Sequence, residues 1–279
     1  MAVIAFWSQD KKVTNQSTSM VVAAIQMAIE KNYKILMIDG NFNSTGLRDS
    51  LYVSRKQSNI DKQLNLGKVD ISSGVEGLIQ AVATNRISPE IVKNFTKPVF
   101  SQRLDFLDSM VTKERAEYDR ASKYYPELLS VANKYYDLVY IDIEKGLDSE
   151  VTKAILQQAD IIVVCFEQIL KDIENFKKIW GVHEMFPKQK TIPLLTKEDR
   201  FSRFNSDNVA RFIGQKWGKG ICSIAYNTML MEKTQEGDVP NFLIQTKLSG
   251  EKSRNQYLID TINDLNFLTI DLLQGGVTF

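Results

Sequence analysis

Short apolar runs rich in branched residues alternate along the chain with stretches whose apolar positions recur every three to four residues. The runs at 3–7, 34–38, 103–107, 138–142, 161–166, 191–195 and 221–225 lack the polar alternation of a half-solvated strand, so they read as strands buried on both faces. Helical spacing is found at 17–31, 74–83, 113–134, 148–157, 170–180, 205–217 and 253–265. This order predicts an α/β fold: a mainly parallel, twisted sheet with helices on both faces, in three layers. Residues 52–73 and 230–250 follow neither period and read as long surface connections. No repeat or low-complexity tract breaks the pattern, and one domain over 1–279 is expected.

Composition narrows the function classes. A formal charge of +1 on 279 residues gives no global pull toward nucleic acid or acidic lipid. The block from 171 to 219 is locally basic, and Lys197, Arg200, Arg203, Lys216 and Lys219 are its candidates for nonspecific DNA contact. The more common reading of such a block is a solvated face. Cys165 and Cys222 both lie inside apolar runs, which suits buried thiols and a reducing compartment rather than a disulfide framework. With His183 as the single histidine, a multi-histidine metal site or a histidine-dependent triad has little to draw on. No basic leader with a cleavage site is apparent, and the apolar runs fall well short of the roughly 18 residues of a spanning helix. A cytoplasmic protein with no integral membrane association is expected.

Candidate chemistry begins in residues 3–31, where a strand (VIAFW), a polar loop (SQDKKVTNQ) and a helix (STSMVVAAIQMAIEK) follow the order of a phosphate-binding site without its glycines and lysine. Asp39 ends the second strand, in ILMIDGNFNSTGL, where a carboxylate reaches a water or metal outside the sheet's carboxyl edge. Asp142 holds the same place in YDLVYIDIEKGL, a position from which an acid holds Mg²⁺ through water. Taken singly, each aspartate reads just as well as the cap of a turn.

Taken together, KVTNQSTS, ILMIDGNFNSTGL, YDLVYIDIEKGL and ADIIVVCFEQILKDIENFKKI resemble, in order and spacing, the deviant-Walker ATPases of the ParA/MinD family. The resemblance extends through LLTKEDRFSRFNSDNVARFI and MEKTQEGDVPNFLIQTKLSGEKSRNQYLIDTI, and so covers nearly the whole chain. It implies a P-loop NTPase-like fold, ATP or ADP with Mg²⁺, a homodimer, and an adaptor or cargo that the dimer positions. Counting back from Asp39 sets the family's loop KGGVGKTT on residues 12–19. The resemblance then implies catalytic roles for Asp39 and Lys12, nucleotide contacts from Lys12, Ser17, Thr18, Asn41 and Asp142, and Mg²⁺ at Thr18 and, through water, Asp142. Lys12 reads equally as an exposed charge in a polar loop.

The departures are large. Val13, Thr14 and Gln16 replace the glycines that let successive backbone N–H groups form an anion nest, and Ser17 replaces the loop lysine. A buried charge-assisted contact of that kind is worth roughly 1.5 to 3 kcal/mol. Asn41 replaces the second acid of an Asp-x-Asp pair, and Glu144, Lys145 and Gly146 replace a proline turn. A degenerate Walker A loop therefore implies a pseudo-ATPase scaffold that localises DNA or a macromolecular machine. The alternative is a slow, active partition ATPase that binds nonspecific DNA. Ser17 and Thr18, and the segment at 74–109, also resemble pilus-localisation members of the TadZ and CpaE type. A membrane-cycling role of the MinD type would need a basic amphipathic tail, and no lysine or arginine follows Arg254.

Overall fold

In the computed structural model the described residues are 1–9, 15–42, 44–52, 74–84, 88–110, 112, 114–214, 221–249 and 255–275. Strands β1 (Ala2–Trp7), β2 (Ile35–Asp39), β3 (Lys97–Phe100), β4 (Leu104–Leu107), β5 (Leu138–Asp142), β6 (Ile161–Phe166), β7 (Thr191–Glu198) and β8 (Cys222–Ala225) form one sheet in the order β3-β4-β2-β5-β1-β6-β7-β8. All pairings are parallel except β3 with β4. The expected α/β fold with a mainly parallel sheet is what the chain adopts.

β1 sits at the centre between β5 and β6, and its six residues are all buried. Successive side chains point to opposite faces. Ala2, Ile4 and Phe6 therefore enter one core layer, and Val3, Ala5 and Trp7 the other. The first layer is closed by α1 (Gln16–Glu30), α2 (Gly46–Leu51), α9 (Thr228–Glu236), α10 (Val239–Ser249) and α11 (Gln256–Leu273). The second is closed by α3 (Val75–Ala83), α4 (Arg115–Ala121), α5 (Tyr125–Ala132), α6 (Glu150–Gln158), α7 (Leu170–Ile179) and α8 (Ser206–Phe212). α1 is buried without a break from Ser19 to Ala28, since sheet and neighbouring helices enclose it. Among the described residues, no helix is long and apolar enough to cross a membrane.

Among the described residues several elements differ from the periodicity, and α2 and a 3₁₀ helix at Pro89–Phe95 were not predicted by it. β3 is a short antiparallel edge strand with Lys97 and Pro98 exposed, and proline and charge hide its strand character. The helix expected at 113–134 is broken into α4, a 3₁₀ turn at Ser122–Tyr124 and α5, with Pro126 in the first turn of α5. The stretch 230–250 is two helices rather than a connection. Asn227 caps α9, accepting from the Leu230 N–H at 2.9 Å, and Gly237 ends it in the left-handed region at φ 72°. α11 runs past 265 to Leu273, where its second half packs beside α1. Most of 52–73 lies outside the described residues.

Candidate functional site

β2 and β5 are adjacent and in register, so Asp39 lies directly opposite Asp142 at the carboxyl edge of the sheet. Both side chains are fully buried. The contact between the strands continues at Gly40, whose N–H donates to Asp142 O at 2.9 Å. A Cβ on residue 40 would meet that carbonyl oxygen at 2.8 Å, closer than packing allows, so glycine is required for the approach. The Asn41 N–H and side-chain amide both donate to Asp39 Oδ1, at 3.2 and 3.3 Å. Asp39 Oδ2 is buried without a well-formed hydrogen bond.

Asp142 has the opposite condition. Its two oxygens are taken by the first turn of α1: Ser17 Oγ donates to Oδ2 at 2.5 Å, and Gln16 Nε2 donates to Oδ1. The same Gln16 nitrogen reaches Phe6 O at 2.9 Å and Ile143 O at 2.7 Å. An amide NH₂ has two hydrogens, so three acceptors share them and Gln16 is held across the ends of β1 and β5. Asn15 precedes the helix in the left-handed region at φ 50°, a conformation asparagine tolerates, and its side chain donates to Glu167 at 3.3 Å.

Burial first, then the charge of Asp142, pushes the Asp39 carboxyl up to about 7, opposed by Asn41 and Ser44. Burial likewise raises Asp142, to about 6, with Ser17, Gln16, Lys145 and Asn41 pulling the other way. Two carboxyls at this spacing in low dielectric resist carrying two charges at once. The pair holds protons that free aspartates would have lost.

Beside the acids, Arg115 joins the two strand tails. Its guanidinium makes a bidentate ion pair with Glu144 at 2.7 and 2.8 Å and lies 5.5 and 5.1 Å from the ring centres of Phe42 and Tyr118. The Tyr118 hydroxyl donates to Gly40 O. A cavity of about 590 Å³ opens here, with Asn41, Phe42, Arg115, Glu144 and Ser149 among its walls.

Of the residues singled out in the sequence, Asp39, Asn41, Asp142 and Ser17 converge. Thr18 is half-buried one position further along α1, and the contact with Asp142 is made by Ser17. Lys12 lies outside the described residues, as do Val13, Thr14, Lys216 and Lys219. Lys197, Arg200 and Arg203 stand apart from the acids, on β7 and the loop after it. Lys197 has φ 52°, Arg200 lies over Phe201 and Tyr257 at 4.9 and 5.1 Å, and Arg203 lies over Phe204 at 4.7 Å. Arg115 and Tyr118 carry no motif signal, and Gln16 entered the sequence reading only as a replaced loop glycine. The available hint for Gln16 was its position, a polar residue opening an otherwise apolar helix.

The described residues present two carboxyls and a hydroxyl that suit a hydrated Mg²⁺. For a triphosphate, the side chain that opens α1 is a neutral amide, already bound to Asp142 and to two carbonyls. That part of the site does not fit a triphosphate as it stands.

This sheet order is the fold seen in solved structures of ParA- and MinD-type ATPases. The chain is similar to a ParA family ATPase from Chlorobium tepidum TLS, with TM-score 0.69 and 17% identity over 95% of this chain and 98% of that one. It is similar to the cell division ATPase MinD of Pyrococcus furiosus, with TM-score 0.66 and 15% identity over 96% and 99%. The septum site-determining protein MinD of Pyrococcus horikoshii OT3, solved with Mg-ADP, follows at TM-score 0.62 and 16% identity over 96% of each chain. Neither a family model nor a curated protein matches the sequence.

Proposed function

We propose that the chain is a ParA/MinD-like positioning protein in which nucleotide turnover is impaired or lost, acting as a cytoplasmic, dimeric scaffold for DNA or a macromolecular machine. The observation that carries this reading is the occupancy of Asp142 by Gln16 and Ser17. In a working P-loop a lysine meets the β and γ phosphates and the next hydroxyl meets Mg²⁺. Because Gln16 and Ser17 are the side chains that meet Asp142, we read Gln16 in the lysine's place and Ser17 in the hydroxyl's, where counting along the sequence gives Ser17 and Thr18. A neutral amide supplies no charge to a phosphate, and it holds the acid that Mg²⁺ would need. Arg115 links the tail of β5, through Glu144, to Phe42 in the tail of β2.

Calorimetric titration of ATP with Mg²⁺ into the full chain tests this. The expected outcome is weak binding or none, and submicromolar affinity would sink it.

A slow ATPase of the partition type is the second reading, favoured by Asp39. A buried carboxyl with a pKa raised to about 7 and an oxygen without a well-formed hydrogen bond is suited to accept a proton from water near neutral pH. Its test is a turnover assay that Asp39→Ala abolishes. DNA retention that Arg200→Glu with Arg203→Glu removes would add the nonspecific-DNA function to this reading.

A further inference from the structure

Where β2, β4 and β5 begin, at the opposite edge of the sheet from the acid pair, four separate parts of the chain enclose a pocket of about 190 Å³. Lys34 enters from the position before β2, and Lys93 from the 3₁₀ helix at Pro89–Phe95. Gln102 and Arg103 come from the turn between β3 and β4, and Tyr135 from the turn before β5. Asp105 is the one carboxyl among the described lining residues, and its Oδ2 accepts from the Tyr136 hydroxyl at 2.8 Å. Three cations against one carboxyl leave two positive charges unbalanced.

The cations are positioned by neutral groups. Arg103 donates through Nη2 to the carbonyls of Ala28 and Lys31, which fixes its guanidinium at the end of α1. Lys34 Nζ lies 5.1 Å from the centre of the Tyr135 ring, and the neighbouring Asp137 carboxylate accepts from the Lys34 backbone N–H at 2.8 Å. Neither Lys34 nor Lys93 is in an ion pair with a described residue. Both lysines are exposed, so a ligand in the pocket can reach them. Gln102 is exposed as well and stands at φ 62°, in the left-handed region that favours glycine. The turn thus carries an amide side chain at the rim where glycine would be easier to hold.

We propose that this pocket binds a phosphate group, as inorganic phosphate or as the phosphate of a small monoester. Lysine meets a phosphate as a point charge, and the anchored guanidinium adds a fixed cation beside it. A dianion answers both unbalanced charges, whereas a carboxylate or a phosphodiester answers one. The pocket is smaller than the roughly 300 to 1,000 Å³ of sites for drug-sized ligands, so it suits a group of a few atoms. The convex backbone of a duplex does not enter a recess of that size. The inference is independent of whether the acid pair handles nucleotide.

The test titrates inorganic phosphate, glycerol 3-phosphate and acetate into the ¹⁵N-labelled full chain at constant ionic strength and follows the amide resonances. Both phosphates are expected to shift the amides of Lys34, Lys93, Gln102, Arg103 and Tyr135 saturably, with at least about tenfold higher affinity than acetate. Lys34→Gln with Lys93→Gln is expected to lose about tenfold of the phosphate affinity, at an unchanged thermal midpoint without phosphate. Gln102→Gly is expected to lose about threefold without lowering that midpoint, since glycine suits the turn and only the amide is removed. Absence of saturable shifts at these residues, equal affinity for acetate, or undiminished affinity in either variant would each overturn the proposal. So would shifts confined to the start of α1, which would place phosphate there. Duplex DNA or phosphatidylserine vesicles that bind through Lys34 and Lys93, with no response to either phosphate, would assign these lysines to a larger polyanion and overturn it too.

Discussion

At two of the places where the carboxyl edge of the sheet buries carboxylates, the chain treats them in opposite ways. At the end of β7, Glu198 is surrounded by donors: the Ser206 N–H at 2.7 Å to Oε1, with Ser223 Oγ at 2.6 Å and the Tyr257 hydroxyl at 2.9 Å to Oε2. At the ends of β2 and β5, Asp39 and Asp142 face each other, Asp39 Oδ2 has no well-formed hydrogen bond, and both carboxyls are pushed toward neutrality. A buried acid supplied with donors is a structural joint that ties β7, β8, α8 and α11 together. A buried acid pair in which Asp39 is left short of donors is where chemistry or ligand binding is expected, because the fold alone gives no reason to keep it.

The comparison can be broken by substitution at either place. Glu198→Ala strips the acceptor from three donors at once, and we expect a loss of about 4 kcal/mol in denaturant unfolding, with Mg·ATP affinity unaltered. If Glu198→Ala costs under about 1 kcal/mol, the joint is not structural in the sense drawn here. Asp39 yields the next largest effect, and it is pH-dependent. Its carboxyl is protonated in the folded chain up to about 7, whereas the unfolded chain releases that proton near 4, so the folded state binds more protons between these values. Stability must then fall as pH rises from about 4 to 7, by on the order of 3 kcal/mol, and Asp39→Asn should flatten that slope. A wild-type stability that rises monotonically through this window, with no difference from Asp39→Asn, would contradict the raised pKa.

Smaller effects sharpen the contrast at the acid pair. Gln16→Lys places a cation against Asp142 at the start of α1, and we expect Mg·ATP affinity to rise about tenfold by calorimetry, since a charge-assisted contact is worth roughly 1.5 to 3 kcal/mol. No rise would mean that the loop before Gln16, rather than the missing charge, limits phosphate binding. Arg115→Ala removes a partly exposed bidentate pair with Glu144, and solvent screening limits its cost to about 1 kcal/mol. Its clearer signature is faster amide exchange at Asn41 and in the tail of β5, with Tm nearly unchanged.

The strand runs were legible because parallel strands covered on both faces are continuous apolar segments, and a segment shows its own composition. So were the strand tips, Asp39 and Asp142, since a lone acid after four apolar residues stands out. β3, α9 and α10 were not legible: an edge strand with lysine and proline has no apolar signature, and two short helices are held by Asn227, Gly237 and packing rather than by their own periodicity.

The sequence by itself determined the layers, the placement of two carboxylates at one edge, and the loss of a lysine and glycines from the loop between β1 and α1. Only the tertiary structure decided what those acids touch. Gln16 meets Asp142 across 126 positions, and Asn266 meets Ala23 across 243, contacts that exist because β5 lies beside β1 and α11 lies along α1. Composition and period act within a segment. Hydrogen bonds and raised pKa values arise between segments, and they required the packed chain.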